Sequence, residues 1–215
     1  MNKYLWLLSV ILLLSCAGEN GRKYYQSLDF YAAHSDSSLI LLEKFKTYQQ
    51  TTGVTCGPSC VLMALDYFGK LGNYDEMQLK ALRGTSQDTT YLRHLLKIFD
   101  AVGGFKYVST FDYDKKDIKP SLFVDLLKKG VPVIIGTNEW GGHWQIVIGY
   151  DTMGTGTIED DVLILADPYD RTDHCKDGYI VYPLENLYYG TWRPYYAPDF
   201  NWGLFVAALP ITQHE

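Results

Sequence analysis

The feature that most constrains the fold is a change of pattern near residue 130. Before it, four segments carry apolar residues at helical spacing, and after it five short segments are rich in β-branched and aromatic residues. This segregation predicts an α+β domain in which a helical first half packs on an antiparallel β-sheet in the second half. The predicted helices begin near Pro58, Tyr74, Thr89 and Pro120, and the predicted strands are VPVIIGTN, HWQIVIGYD, DVLILADP, GYIVYPL and GLFVAALP.

Residues that favour helix starts and stops flank the predicted helices. Pro58 and Pro120 suit the first helical position, where a missing N–H does no harm, and Gly69 and Gly130 suit C-terminal caps. Asp88 is the candidate N-terminal cap of the third helix.

The first fifteen residues have the pattern of a signal peptide. Tyr4 to Leu14 form an apolar run of eleven residues, which is too short to span a bilayer comfortably. The run ends in Leu-Leu-Ser before Cys16, which resembles the lipobox of bacterial lipoproteins, where the cysteine is lipidated and becomes the mature N-terminus. A plain secretory signal with an incidental cysteine is the alternative.

We therefore expect a lipoprotein signal peptide at residues 1–15, a tether or lead-in at 16–40 and one domain at 41–215. The domain would lie outside the cytoplasm in the bacterial cell envelope, anchored to the membrane through Cys16. A formal net charge of −6 argues against nucleic acid as a partner, because such a surface needs many cationic contacts to phosphate.

Four cysteines are present, at positions 16, 56, 60 and 175. If Cys16 carries lipid, an odd number remains in an oxidising compartment, which indicates either an interchain pair or a reactive thiol. Cys56 directly precedes Gly57 and Pro58, so it lies at the start of a predicted helix, where free N–H groups and the helix dipole stabilise a thiolate. Simple burial of Cys56 and Cys60 as small apolar residues is the alternative.

A thiolate nucleophile needs a base, a group that orients the base and donors for an oxyanion. His143 is the candidate base, because it follows two glycines at the start of an apolar strand. Asp167 ends a later strand and is the candidate orienting group, although Asp-Pro is also a common turn opener. Gln50 lies six residues before Cys56 and is the candidate oxyanion donor, with Gln49 as the neighbour that competes for this role.

The remaining histidines have simpler explanations. His94 lies on a helix face beside Arg93 and is expected to be exposed to solvent, His34 and His214 lie in terminal regions, and His174 lies in a polar loop. That loop holds a cluster of potential metal ligands whose spacing fits neither calcium nor zinc, so no metal and no cofactor is expected. The cluster comprises Asp167, Asp170, Asp173, His174, Cys175 and Asp177.

Three motifs in order, QTTGVTCGPSC from Gln50, then GGHWQIVIGYD and then LADP, resemble papain-like cysteine peptidases. Within them, the sequence is similar to the family that trims double-glycine leaders from bacteriocin precursors, over residues 45 to 170. The resemblance implies a papain-like fold with Cys56 as nucleophile, His143 as general base and acid, Asp167 as its orienting group and Gln50 in the oxyanion hole. Family members are usually fused to a membrane transporter, whereas no transmembrane bundle or ATPase follows here, which favours a stand-alone exported relative.

Together with the expected signal peptide, the resemblance implies an exported thiol-dependent peptidase that acts on a peptide or protein substrate through a thioester acyl-enzyme. The same triad would also serve a transpeptidase or acyltransferase, and a non-catalytic, surface-anchored binding module is the other alternative. With Cys16 lipidated and Cys56 reserved as a thiolate, Cys60 and Cys175 form an even pair, so a disulfide between them is possible, with two free thiols as the alternative.

Overall fold

An antiparallel sheet, built mainly from the second half of the chain, forms the centre of the structure. The computed structural model describes residues 32–171, 175–192 and 203–211. Within these residues the strand order is β2-β7-β3-β4-β5-β6, and β1 pairs with β4. The strands are β1 (Leu39–Leu41), β2 (Phe105–Ser109), β3 (Val133–Thr137), β4 (His143–Asp151), β5 (Val162–Ala166), β6 (Tyr179–Pro183) and β7 (Leu204–Pro210).

Strand β4 is the central strand, and all nine of its residues are buried. It pairs with β3 near its start and with β1 near its end, while β5 lies along its other edge. Ala166 at the end of β5 pairs with Ile146 of β4, so the next residue of the chain, Asp167, lies opposite the start of β4. Because side chains alternate along a strand, His143 and Gln145 point to the same face at this point of the sheet.

Helix α1 lies against β4 and is the most buried helix of the described residues. Every residue from Gly57 to Leu65 is buried, which explains why its sequence is apolar on almost all sides rather than on one stripe. The helices are α1 (Cys56–Tyr67), α2 (Glu76–Leu82), α3 (Leu92–Val102) and α4 (Ser121–Leu127), with 3₁₀ turns at Thr110–Asp112, Lys115–Asp117 and Glu139–Gly141 and a π-helical segment at Asn186–Trp192.

The expected combination of helices and an antiparallel sheet is confirmed, and all five predicted strands are present as β3 to β7. Two short strands, β1 and β2, lie in the first half and were not predicted. The domain boundaries expected from the sequence stay predictions, although Leu39 and Ile40 already take part in the sheet through β1.

Some predicted helix starts are wrong by a few residues. Helix α1 begins at Cys56, two residues before Pro58. Helix α2 begins after Asp75, whose side chain accepts a hydrogen bond from the N–H of Gln78 and caps the helix. Helix α3 is capped at Tyr91 rather than at Asp88, because the carbonyl of Asp88 accepts a hydrogen bond from a buried arginine and the chain stays extended beyond it.

No helix in the described part of the chain is both long and apolar enough to cross a membrane. The expected signal peptide at residues 1–15 and the expected lipidation site at Cys16 lie outside the described residues.

Candidate active site

Cys56 is the first residue of α1 and is half-buried, at the start of a buried helix. The first N–H groups of a helix have no partner within the helix, and they face this end. Gly57 lets another segment approach closely, since a Cβ at this position would lie 2.6 Å from Cγ2 of Thr90. The sequence Cys-Gly-Pro therefore places a thiol, a close packing contact and a helix-compatible proline in the first turn.

His143 and Asp167 form a buried pair beside this helix start. Nε2 of His143 lies 2.6 Å from Oδ1 of Asp167, and the two side chains are only 4% and 2% exposed. Asp167 also accepts hydrogen bonds from Nε2 of Gln145 at 2.8 Å and from the backbone N–H of Tyr169 at 2.7 Å. As the acceptor for Nε2–H of His143, Asp167 leaves Nδ1 of the ring for another partner.

Cys56 is the other group that acts on His143, because hydrogen bonding by its side chain is among the causes that raise the pKa of His143. Burial by itself would lower the pKa of His143, but the hydrogen bonds and negative charges of Asp167 and Cys56 outweigh it and raise this pKa to about 9. A histidine in such surroundings carries its proton at neutral pH. The structure thus brings three of the four predicted site residues into one chain of contacts.

Gln50, the fourth predicted residue, lies in a loop that is tied to the segment after β5. Its backbone N–H donates to the carbonyl of Pro168 at 2.7 Å. Its side-chain Nε2 donates to the carbonyl of Thr52 at 2.7 Å, and its Oε1 is buried without a hydrogen-bond partner. The second proton of the amide nitrogen is not used in this hydrogen bond and could be donated to an oxyanion. A role of Gln50 in binding an oxyanion stays a prediction.

Gln49, the competing glutamine, has a structural role. Its Nε2 donates to the carbonyl of Asp167 at 3.1 Å, and its Oε1 accepts from the N–H of Asp170 at 3.3 Å. Gln49 therefore joins the loop before Cys56 to the loop that carries Asp167.

Cys60 is not joined to Cys175, so the disulfide considered from the sequence is absent. Cys60 is fully buried, its Sγ donates to the carbonyl of Trp144 at 3.2 Å, and burial raises its pKa well above the ordinary value. Cys175 is exposed, with its Sγ 3.4 Å from a carboxylate oxygen of Asp177. The two thiols occupy a core position and a surface position.

His94 was expected to be exposed, and this expectation is wrong. Its exposed fraction is only 3%, and its Nδ1 accepts a hydrogen bond from the N–H of Tyr91. Burial, followed by the charge of Arg93, lowers its pKa. His34 is exposed and lies 3.0 Å from Glu43, while His174 and His214 lie outside the described residues.

Among the described residues, no group of three or more histidine, cysteine, aspartate or glutamate side chains is arranged to hold a metal ion. Two members of the polar cluster noted in the sequence, Asp173 and His174, lie outside the described residues.

The sequence reasoning missed Glu76, which lies at the start of α2 and is 8% exposed. Its carboxylate accepts hydrogen bonds from the backbone N–H and hydroxyl of Thr51 and from the hydroxyl of Ser59. It also bonds the side chain of Thr55, the residue before Cys56. Nothing in the local sequence of α2 indicates this role, because all of its partners come from another part of the chain.

Gln145, the other missed residue, had a detectable signal. It lies two positions after His143 on the same strand, so the two side chains share a face. A polar residue with no exposure in the middle of an apolar strand needs a partner, and Asp167 is that partner.

Comparison with known proteins gives one family and a set of similar folds. The model of the Peptidase_C39 like family matches residues 42–197. The peptidase domain of Streptococcus ComA, a bifunctional ABC transporter involved in quorum sensing, is 16% identical; the match covers 79% of this chain and 99% of that one, with a TM-score of 0.50. A double glycine motif protease from an AMS/PCAT transporter, solved with its leader peptide, is 20% identical over 78% of this chain and 92% of that one, with a TM-score of 0.48. No curated protein matches the sequence.

Proposed function

The chain belongs to the Peptidase_C39 like family of cysteine peptidases, and on this premise we propose that it cleaves a peptide or amide bond through Cys56, His143 and Asp167. The main support for the proposal is the buried pair of His143 and Asp167, in which Nε2 and Oδ1 lie 2.6 Å apart. This pair lies beside Cys56, a cysteine at the start of a helix. A base, an orienting group and an accessible thiol at a helix N-terminus are the parts that thiol catalysis requires.

In the proposed reaction the thiolate of Cys56 attacks the carbonyl carbon of the substrate, and the carbonyl oxygen becomes an oxyanion. The N–H of Cys56 and the spare amide proton of Gln50 would donate to this oxyanion. As the C–N bond breaks, His143 gives its proton to the departing amine, and a thioester remains on Cys56. Water then attacks the thioester, His143 takes a proton from that water, and the carboxylic acid product leaves with the thiolate restored.

Asp167 acts through His143 in this scheme. By accepting the proton-bearing Nε2, it keeps Nδ1 directed toward Cys56 and stabilises the positive ring that exists before proton transfer. Gln145 and the backbone of Tyr169 hold Asp167 in place in turn, so the position of the base is fixed by buried contacts on both sides.

The test is cleavage of a peptide library by the full-length protein in detergent, with mass spectrometry of the products. We expect new termini with the wild type and with Cys175→Ala, which removes an exposed cysteine that is not one of the three proposed catalytic residues, and none with Cys56→Ala. The product masses separate hydrolysis from acyl transfer, because transfer to an added amine yields the amide instead of the acid. Equal cleavage by Cys56→Ala would contradict the proposal, and peptide binding without cleavage by any variant would support a binding module instead.

We also propose that the enzyme is exported and anchored by a lipid on Cys16, since an apolar run followed by Leu-Leu-Ser-Cys is what lipoprotein processing requires. A clickable fatty acid fed to the producing bacterium should label the wild type but not Cys16→Ser. Labelling of both proteins would contradict the anchor and leave the peptidase proposal untouched.

A further inference from the structure

Trp140 combines two features that are costly for a surface residue. Its side chain is 67% exposed, and its backbone φ is +55°, in the left-handed region. For a residue with a bulky side chain this conformation costs about 1–2 kcal/mol. An exposed aromatic ring in strained backbone, three residues before the proposed base His143, is the kind of outlier that concentrates at functional sites.

A second ring connects Trp140 to the proposed active site. The ring of Tyr169 makes an edge-to-face contact with each of them, with its centroid 6.2 Å from that of Trp140 and 6.3 Å from that of His143. The guanidinium of Arg171 lies 4.4 Å from the centre of the Tyr169 ring. Trp140 and Tyr169 thus form an aromatic wall that extends outward from His143.

The turn that carries Trp140 is held in place on both sides. The N–H of Asn138 donates to the carbonyl of Thr191 at 2.9 Å, and the N–H of Gly142 donates to the carbonyl of Glu139 at 2.8 Å. The carboxylate of Glu139 accepts a hydrogen bond from the hydroxyl of Tyr182. A ligand at the aromatic wall therefore meets a turn that is already ordered, which lowers the entropy cost of binding.

We propose that Trp140 and Tyr169 bind the side chain of the residue that directly follows the scissile bond, and that they select a large apolar or aromatic one. This rests on the proposed peptidase function. His143 must approach the departing amine to within about 3 Å to protonate it. The side chain of the residue bearing that amine is attached one carbon away, so it lies beside His143 and meets the aromatic wall. The cation of Arg171 against Tyr169 disfavours a lysine or arginine there.

The test uses two peptides that share the sequence before the cleaved bond and carry either Phe or Ala directly after it. We expect the wild type to prefer Phe by about 10-fold in kcat/KM, because a buried aromatic contact adds that order of discrimination. In Trp140→Ala the ratio should fall to within about twofold, through loss of rate on the Phe peptide alone. Trp140→Phe should keep most of the preference.

Phe111→Ala is the matched control, since Phe111 is also 67% exposed but follows β2 at the far edge of the sheet. It should leave the ratio at the wild-type value. An unchanged ratio in Trp140→Ala, or an equal loss on both peptides, would overturn the subsite while the peptidase proposal stood. Cleavage that survives Cys56→Ala, or no cleavage by any protein, would instead defeat the peptidase proposal, and this inference with it.

Discussion

Glu76 should be essential for holding the segment that carries Cys56. Its carboxylate accepts from the N–H of Thr51 at 3.0 and 3.1 Å and from the hydroxyl of Ser59 at 3.0 Å, and it also bonds the side chains of Thr51 and Thr55. Its partners lie on both sides of Cys56 in the sequence. We therefore expect that replacing Glu76 perturbs the position of the thiol without changing any of the three proposed catalytic residues.

The contacts give the size of the effect. Hydrogen bonds to a charged group contribute about 1.5–3 kcal/mol each, but hydroxyl donors can turn to other acceptors, whereas the N–H of Thr51 cannot. Glu76→Leu should therefore reduce the free energy of unfolding by about 3 kcal/mol at pH 7. Glu76→Gln keeps one acceptor oxygen of the same shape and should cost about 1 kcal/mol.

The loss should depend on pH in a defined direction. Burial tends to raise the pKa of Glu76, but hydrogen bonds from Thr51, Thr55 and Ser59 outweigh it and leave this pKa below its usual 4.5. A folded-state pKa below the unfolded one gives stability that is present above pH 4.5 and is lost as the pH falls through the folded value. The difference between wild type and Glu76→Gln should therefore shrink in acid.

Urea denaturation at pH 7 and pH 4 measures these differences, with Glu159→Gln as the control because Glu159 is an exposed acid. Kinetics below the urea transition add a second readout: Glu76→Gln should lower kcat by about 10-fold with little change in KM, because a displaced nucleophile affects the chemical step. A loss under 1 kcal/mol for Glu76→Leu, or full kcat in the folded Glu76→Gln protein, would refute the reasoning.

Three other expectations test the packing and the charges of the site. Gly57→Ala should cost about 1–3 kcal/mol of unfolding free energy, since its Cβ meets Cγ2 of Thr90 at 2.6 Å. Adding Thr90→Ser deletes that methyl group and should recover part of the loss, although Cδ2 of Leu95 still lies 3.1 Å from the new Cβ. If Thr90→Ser recovered none of the loss, the strain would not come from this contact. Asp167→Asn should lower kcat at least about 100-fold. It should also move the alkaline limb of the pH profile of kcat/KM to lower pH, because the carboxylate no longer raises the pKa of His143. An alkaline limb at the wild-type pH would contradict the pairing of His143 with Asp167. The pKa of His143 is about 9 in the folded state against 6.5 in the free residue, so its protonation stabilises the fold fully below pH 6.5 and this stability is lost as the pH rises through 9. The difference in unfolding free energy between wild type and His143→Gln should therefore decline across that window by at most about 1.4 kcal/mol per pH unit. A difference that grew with pH would contradict this prediction.

The sequence was most informative where local pattern and burial coincide. The strands β3 to β7 were predictable because their β-branched runs are short and bounded by turn residues. The closeness of His143 and Asp167 follows from the register of β4 and β5, in which the end of one strand lies opposite the start of the other. Cys56 could be predicted to lie at a helix N-terminus because Gly57 and Pro58 favour the start of a helix.

The sequence did not indicate the burial or role of residues whose contacts lie far away along the chain. Glu76 looks like an ordinary first residue of a helix, and its partners lie 17 to 25 positions away along the chain. His94 was misread because the neighbouring arginine suggested a solvent-facing side, whereas the residue turns inward to bond the N–H of Tyr91. The left-handed backbone of Trp140 has no signal in the sequence either, since tryptophan rarely adopts it.

The rate at which a thiol reagent labels Cys56 at different pH values tests the central claim most directly. The account predicts that Cys56 is labelled faster than Cys175, because Cys56 lies at a helix start beside His143, whose raised pKa keeps the ring protonated. In His143→Ala, labelling at pH 6 should fall at least about 10-fold, while Cys175, an exposed thiol, keeps its rate in both proteins. Labelling of Cys56 at the rate of Cys175, unchanged by His143→Ala, would contradict the claim that these residues form a catalytic pair.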